Sequence, residues 1–166
     1  MTRRFSRRKL VGAGGLAALA PMVSFGDQAQ AAPLPSIVVL PQPVRVFDSR
    51  TTPASQGGGK LASGNSVAVS VGTVTGPDLV AGAVFVNVTV TDTEGRGYLV
   101  VRGSDLSGNN PLPSTSNLNW TADGQTIANL VLSPVGGENS LEVHASGAGR
   151  TNIIVDVQAF IPVAPI

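Results

Sequence analysis

From Ala32 onward, apolar and polar residues alternate with a period of two in short runs, and no stretch sustains the three-to-four spacing of an amphipathic helix. In 66–72, Val67, Val69 and Val71 share one face, with serine or alanine opposite. In 83–91, Val84, Val86, Val88 and Val90 share a face, and Phe85, Asn87 and Thr89 on the other suggest a strand covered on both sides. TEGRG at 93–97 reads as a turn, and YLVVR at 98–102 as the returning arm of a hairpin. Further strand-like runs occupy 116–120, 126–132, 140–145 and 151–160, separated by turn compositions at 123–124, 134–139 and 146–150. Pro41 and Pro43 interrupt an earlier pair of runs, 37–40 and 44–47, as at an edge strand or a strand changing sheets. Eight or nine short strands predict an all-β antiparallel sandwich, jelly-roll or immunoglobulin-like, ahead of a barrel. Residues 32–43 read as a proline-rich lead-in with a possible edge strand, and 44–166 as one sandwich domain. The segments 53–65 and 103–114 read as long loops, the first mobile at Gly57–Gly59.

The first 31 residues have a different character. Arg3, Arg4, Arg7, Arg8 and Lys9 form a basic region, a weakly apolar stretch follows, and Ala29 and Ala31 place a cleavage site before Ala32. Gly12, Gly14, Gly15 and Pro21 interrupt the apolar stretch, so no transmembrane anchor is expected there. Ser6-Arg7-Arg8-Lys9-Leu10-Val11 resembles a twin-arginine export signal, with Sec export as the alternative. The expected location is therefore extracellular, with cell-wall association possible. GAGGLA at 12–17 imitates a dinucleotide-binding fingerprint but follows arginines rather than a strand. LPSTS at 112–116 imitates a sortase signal, but no hydrophobic span and basic tail follow it.

Composition narrows the chemistry. The 166 residues contain no cysteine and one histidine, which excludes disulfide scaffolds, zinc–thiolate sites and cysteine nucleophiles. Residues 32–166 hold six basic and nine acidic side chains, a net charge of −3, with no basic patch for nucleic acid. Asp156 stands in an otherwise apolar run, and a buried carboxylate needs a cation or several donors. Arg50, near Asp48 in RVFDSR, is the expected partner in a buried structural pair, with a calcium or catalytic carboxylate as the sharper alternative. Asn87, Asn117, Asn119 and Asn129 fall in strand-like runs and are expected to form a hydrogen-bonded polar core. His144 and Glu142 share a face opposite Leu141, Val143 and Ala145, which places both toward solvent. Asp92, Glu94 and Asp105 lack the dense alternating acids of a calcium loop, and no metal or other cofactor is expected. Among the few aromatics, Trp120 and Tyr98 are the candidate ligand contacts, with core packing the competing reading for each.

RVFDSR at 45–50, VFVNVTVTD at 84–92, GYLVV at 97–101, SNLNW at 116–120, QTIANLVL at 125–132 and NIIVDVQAF at 152–160 together resemble a domain of secreted actinobacterial proteins. That domain occurs alone, in tandem, or appended to cell-wall amidases and peptidases. Two departures are visible: Asp48-Ser49-Arg50 stands where the family more often has Asp-Thr-Arg, and Gln158-Ala159-Phe160 where it has a Gly-Tyr-Phe ending. The family has no established activity, so the resemblance implies a non-catalytic surface module. Cell-wall polysaccharide, another envelope protein, or a second copy of the chain are the expected partners. The alternative from the residues is a small hydrolase or lyase working with Asp48, Asp156 and His144 on a wall polymer. The segment 37–47 and the final strand are expected as exposed sheet edges open to strand addition.

Overall fold

Alternating valines build the two inner faces of a β-sandwich. The computed structural model describes residues 36–76, 80–104 and 111–163; the segment expected to direct export, the cleavage expected before Ala32, and Asp105 lie outside them. Among the described residues there are nine strands: β1 (Val38–Asp48), β2 (Leu61–Ala62), β3 (Ser66–Ser70), β4 (Ala81–Glu94), β5 (Gly97–Gly103), β6 (Leu118–Trp120), β7 (Ile127–Pro134), β8 (Ser140–Gly147) and β9 (Arg150–Pro162). One antiparallel sheet runs β1-β9-β4-β7, with β2 pairing on β9, and the other runs β3-β8-β5-β6. Val84, Val86, Val88 and Val90 of β4 and Ile153, Val155 and Val157 of β9 meet Val69, Leu99, Leu141, Val143 and Trp120 from the other sheet. Each such side chain contributes about 1.5–3 kcal/mol of burial.

Leaving aside the two-residue β2, all sequential connections but β5–β6 pass from one sheet to the other. That order is the jelly roll of the two sandwich types expected. It also corrects the expected hairpin at 93–97, because β4 and β5 lie in different sheets and the turn is an arch between them. The final strand is corrected likewise: β9 is central, flanked by β1 and β4, and the edges are β1, β7, β3 and β6. The proline-broken segment does form an edge. It is one strand from Val38, with register shifts between Val39 and Val44, so the sandwich begins before residue 44. Prolines lack the N–H that an interior ladder would require, which confines them to such an edge.

Two arches, β4 to β5 and β8 to β9, rest on one another backbone to backbone. The Ala148 N–H donates to the Arg96 carbonyl at 3.0 Å. A Cβ on Gly149 would lie 2.2 Å from the Glu94 carbonyl oxygen, and one on Gly97 would lie 2.4 Å from the Trp120 ring. Glycine is therefore required at both places by close approach rather than by turn preference alone.

Candidate functional site

The connections after β1, β2, β4, β6 and β8 gather at one end of the sandwich, and four adjoining surface depressions line that end. The chain reaches it through RVFDSR. The Asp48 carbonyl accepts N–H groups from Thr51 and Thr52, at 3.1 and 3.0 Å, and the Thr52 hydroxyl at 2.8 Å. Ser49 exchanges hydrogen bonds with Ile153: its N–H donates to the carbonyl, and its Oγ accepts the Ile153 N–H, both at 2.9 Å. The motif is thus a corner pinned to β9. The glycine run beyond it, expected to be mobile, forms a hydrogen-bonded turn in which Gly58 N–H reaches Pro53 and Gly59 N–H reaches Ser49.

Asp156 takes Arg45 as its partner rather than the expected Arg50. Arg45 stands directly across from Asp156 in the β1–β9 register and grips it with two hydrogen bonds, Nε to Oδ1 at 2.9 Å and Nη2 to Oδ2 at 3.2 Å. Arg50 instead holds Asp48, through Nε at 2.9 Å and Nη2 at 2.7 Å, and Arg45 Nη1 reaches the same carboxylate at 3.5 Å. The result is an alternating chain Arg50–Asp48–Arg45–Asp156 along the outer face of the larger sheet. Val155 and Val157 point inward, so Asp156 must point outward, and Arg45 is half-exposed. A pair so placed contributes about 1 kcal/mol or less, well below a buried one.

The buried pair is Arg102–Glu142, although the alternation in 140–145 places Glu142 toward solvent. Arg102 Nε donates to Glu142 Oε2 at 2.6 Å, and each side chain is about one-tenth exposed (10 % and 12 %). Burial raises the Glu142 carboxyl, but hydrogen bonds from Arg102 and Ser66 and the nearby His144 outweigh it and hold the group below its ordinary range. Asp48 is held low chiefly by the Arg50 guanidinium, against its burial, and Glu94 by Lys60 and Arg150. Depressed carboxylates stabilise the fold above the unfolded-state values near 4, and that contribution is lost as pH falls through the folded ones. The urea midpoint is therefore expected to hold steady from pH 7 to about 5 and to fall below about pH 4. A midpoint unchanged down to about pH 3 would contradict this assignment of the charges.

The asparagines do not form a polar core. Asn119 and Asn129 are exposed, and Asn87 and Asn117 are half-buried. Asn117 acts as a strand terminator: its Oδ1 accepts the Val101 N–H at 2.7 Å, and its own N–H donates to Leu99 at 2.8 Å. Asn129 Nδ2 then donates to the Asn117 carbonyl at 2.6 Å, tying β7 to the start of β6. Asn87 points outward beside Asp156 and reaches Thr89 Oγ1 at 3.4 Å. Strand propensity flagged these residues correctly as having partners, but it could not tell a sheet's outer face from its core.

The two aromatic candidates part company. Trp120 is fully buried under Gly97, and among the described residues its Nε1–H has no acceptor. Tyr98 is 37 % exposed. It stands on the outer face of β5 between Asn119 of β6 and Ser146 of β8, its register partners. A shallow depression of about 410 Å³ lies there, bounded by Arg96, Gly97, Tyr98, Asn119, Thr121 and Ala148, with the Trp120 ring in its wall. A half-exposed ring flanked by an amide, hydroxyls and an arginine offers a flat apolar surface with hydrogen-bonding groups at its rim. Toward β2, the neighbouring depression carries Glu94 and Arg150, and Glu94 bridges that arginine and Lys60, the latter at 2.6 Å.

His144 points outward from the smaller sheet, as the inward Val143 and Ala145 require, and Asp156 points outward from the larger one. The three groups of the hydrolase alternative thus lie on opposite faces of the sandwich. Among the described residues, no group of three acidic or histidine side chains is close enough to hold a metal ion, and no helix is long and apolar enough to cross a membrane. No family model, no curated protein and no solved structure matches this chain.

Proposed function

We propose that the protein is a secreted, non-catalytic module of the cell envelope that binds wall polysaccharide at the Tyr98 depression. The observation that carries this reading is the character of the loop end. Asp48 is spent on Arg50, and Glu94 on Lys60 and Arg150, while Tyr98 stays available beside Asn119, Ser146 and Arg96. A flat ring with hydrogen-bond donors and acceptors around it suits the apolar face and hydroxyl edge of a sugar. The resemblance of RVFDSR, VFVNVTVTD and NIIVDVQAF to the secreted actinobacterial domain supports the same reading, as does the export-type segment before Ala32. The separation of Asp48 and Asp156 from His144 counts against turnover, because acid–base chemistry needs its groups within reach of one substrate atom.

Tyr98→Ala is expected to weaken co-sedimentation with purified cell wall about five- to tenfold, the equivalent of about 1 kcal/mol of ring contact. The unfolding midpoint should barely change, since the ring is partly in solvent already. Unaltered binding by Tyr98→Ala would remove the depression from the site.

A further inference from the structure

Each sheet edge is a row of backbone groups that could pair with another chain, and proteins usually blunt such rows. Three of the four edges here are blunted. β1 carries Pro41 and Pro43 and two register shifts, β6 is three residues long, and β3 is five. β7 differs. It runs eight residues, carries no charged side chain, and has proline only at its last position.

Among the described residues, the ladder shows which of its groups are free. The Val135 N–H, just past the strand, donates to the Gly82 carbonyl of β4 at 3.0 Å, and the β4–β7 register is unbroken from Ala83–Pro134 to Val90–Ile127. In an antiparallel ladder, alternate residues turn both backbone groups to the same neighbour. Ser133, Val131, Asn129 and Ile127 therefore face β4, and Ala128, Leu130 and Leu132 turn their N–H and C=O groups to the open side. Ala128 is exposed, and Leu130 and Leu132 show 53 % and 55 % of their surface to solvent, on the outer face of the sheet.

We propose that β7 pairs antiparallel with β7 of a second copy of this chain, about a two-fold axis at Leu130. That register places Leu130 opposite Leu130 and Ala128 opposite Leu132 of the other copy. It satisfies the free groups of all three residues with roughly six inter-chain hydrogen bonds. A centre at Val131 would set Ala128 against Pro134, which has no N–H to give, and one at Asn129 would pair Leu132 with Thr126, beyond the end of the strand. Apolar side chains meet across the new strand pair on the outer face, and the strand brings no like charge to repel its mate. The same edge is used on both copies, so the assembly closes at two. An interface of one strand edge falls short of the roughly 1,600 Å² of a standard stable complex, so the dimer is weak and concentration-dependent.

The test uses the chain from Ala32 onward, whose described residues close their own core. Sedimentation equilibrium between roughly 1 µM and 0.5 mM should show the mean mass rising toward twice the monomer. Leu130→Lys, at an exposed position, should keep its fold by circular dichroism and remain monomeric throughout, because two ammonium groups would face each other at the axis. The chain has no native cysteine, so Leu130→Cys reports the register directly. Residues opposed in a hydrogen-bonded pair have Cα atoms about 5.5 Å apart, within disulfide reach, and mild oxidation should give covalent dimer. Val39→Cys, still more exposed and on the other edge of that sheet, should not cross-link. A wild-type chain that stays monomeric to about 0.5 mM would overturn the proposal and leave the edge for a strand of another protein. Undiminished association of Leu130→Lys, or cross-linking of Val39→Cys as readily as Leu130→Cys, would overturn it by assigning the contact to another surface.

Discussion

Replacing Arg102 by methionine is expected to lower stability by about 3–5 kcal/mol, the usual cost of stranding one member of a buried ion pair. Methionine preserves most of the apolar stem but takes away the guanidinium that donates to Glu142 at 2.6 Å. Glu142 would then keep only the Ser66 hydroxyl and His144 against its desolvation, and its carboxyl should titrate above the ordinary range rather than below it. A carboxyl raised in the folded state gains relative stability as pH falls, so the gap between variant and wild type should narrow toward pH 4. Adding Glu142→Gln should recover part of the loss at pH 7, because no charge is then left buried. Urea unfolding of the three proteins measures all of this. A loss below about 1 kcal/mol for Arg102→Met would mean that water reaches the pair, as at exposed salt bridges.

Gly149→Ala carries the second large effect. Its new methyl group would sit 2.2 Å from the Glu94 carbonyl oxygen and 3.1 Å from the Arg96 backbone, and neither is a flexible side chain that can swing away. The two arches would have to separate, disturbing the Glu94 bridge to Lys60 and Arg150 as they did so. Overpacking of this kind costs about 1–3 kcal/mol, and the upper part of that range is expected where backbone opposes backbone. Gly72→Ala is the matched control: its Cβ would find ordinary contacts at 3.6 Å and beyond. Equal unfolding midpoints for the two variants would show that the arches are not in the contact described.

The strands themselves were legible because β-sheet burial writes a period of two, and Val84 to Val90 or Val67 to Val71 need no other explanation. Sheet membership was not legible. TEGRG has the composition of a turn whether it closes a hairpin or arches between sheets, and only the partner strands decide which. Register was hidden for a related reason. The shifts around Pro41 and Pro43 and again before Phe47 bring Arg45 opposite Asp156, so the arginine nearest to Asp48 in sequence is not the one that serves Asp156. Glu142 shows the limit of alternation: an outward position means solvent only where nothing covers the sheet, and both Glu142 and its neighbour Arg102 are buried there. For the candidate site, Tyr98 was visible as an aromatic at a strand start. Its partners Asn119 and Ser146 come from strands 21 and 48 residues further along, so their meeting depends on the jelly-roll order. Trp120, at a strand end, shares the inner face of β6 with Leu118, and the absence of a Cβ at Gly97 leaves room for its ring.

Binding without turnover is the central claim, and one incubation tests it. The chain from Ala32 onward is mixed with purified cell wall, the suspension is sedimented, and both the bound protein and the soluble wall fragments are quantified. The expected result is saturable co-sedimentation with fragment release no greater than in the protein-free control. Release of soluble fragments that disappears in Asp48→Ala or Asp156→Ala variants, shown by circular dichroism to be folded, would contradict it.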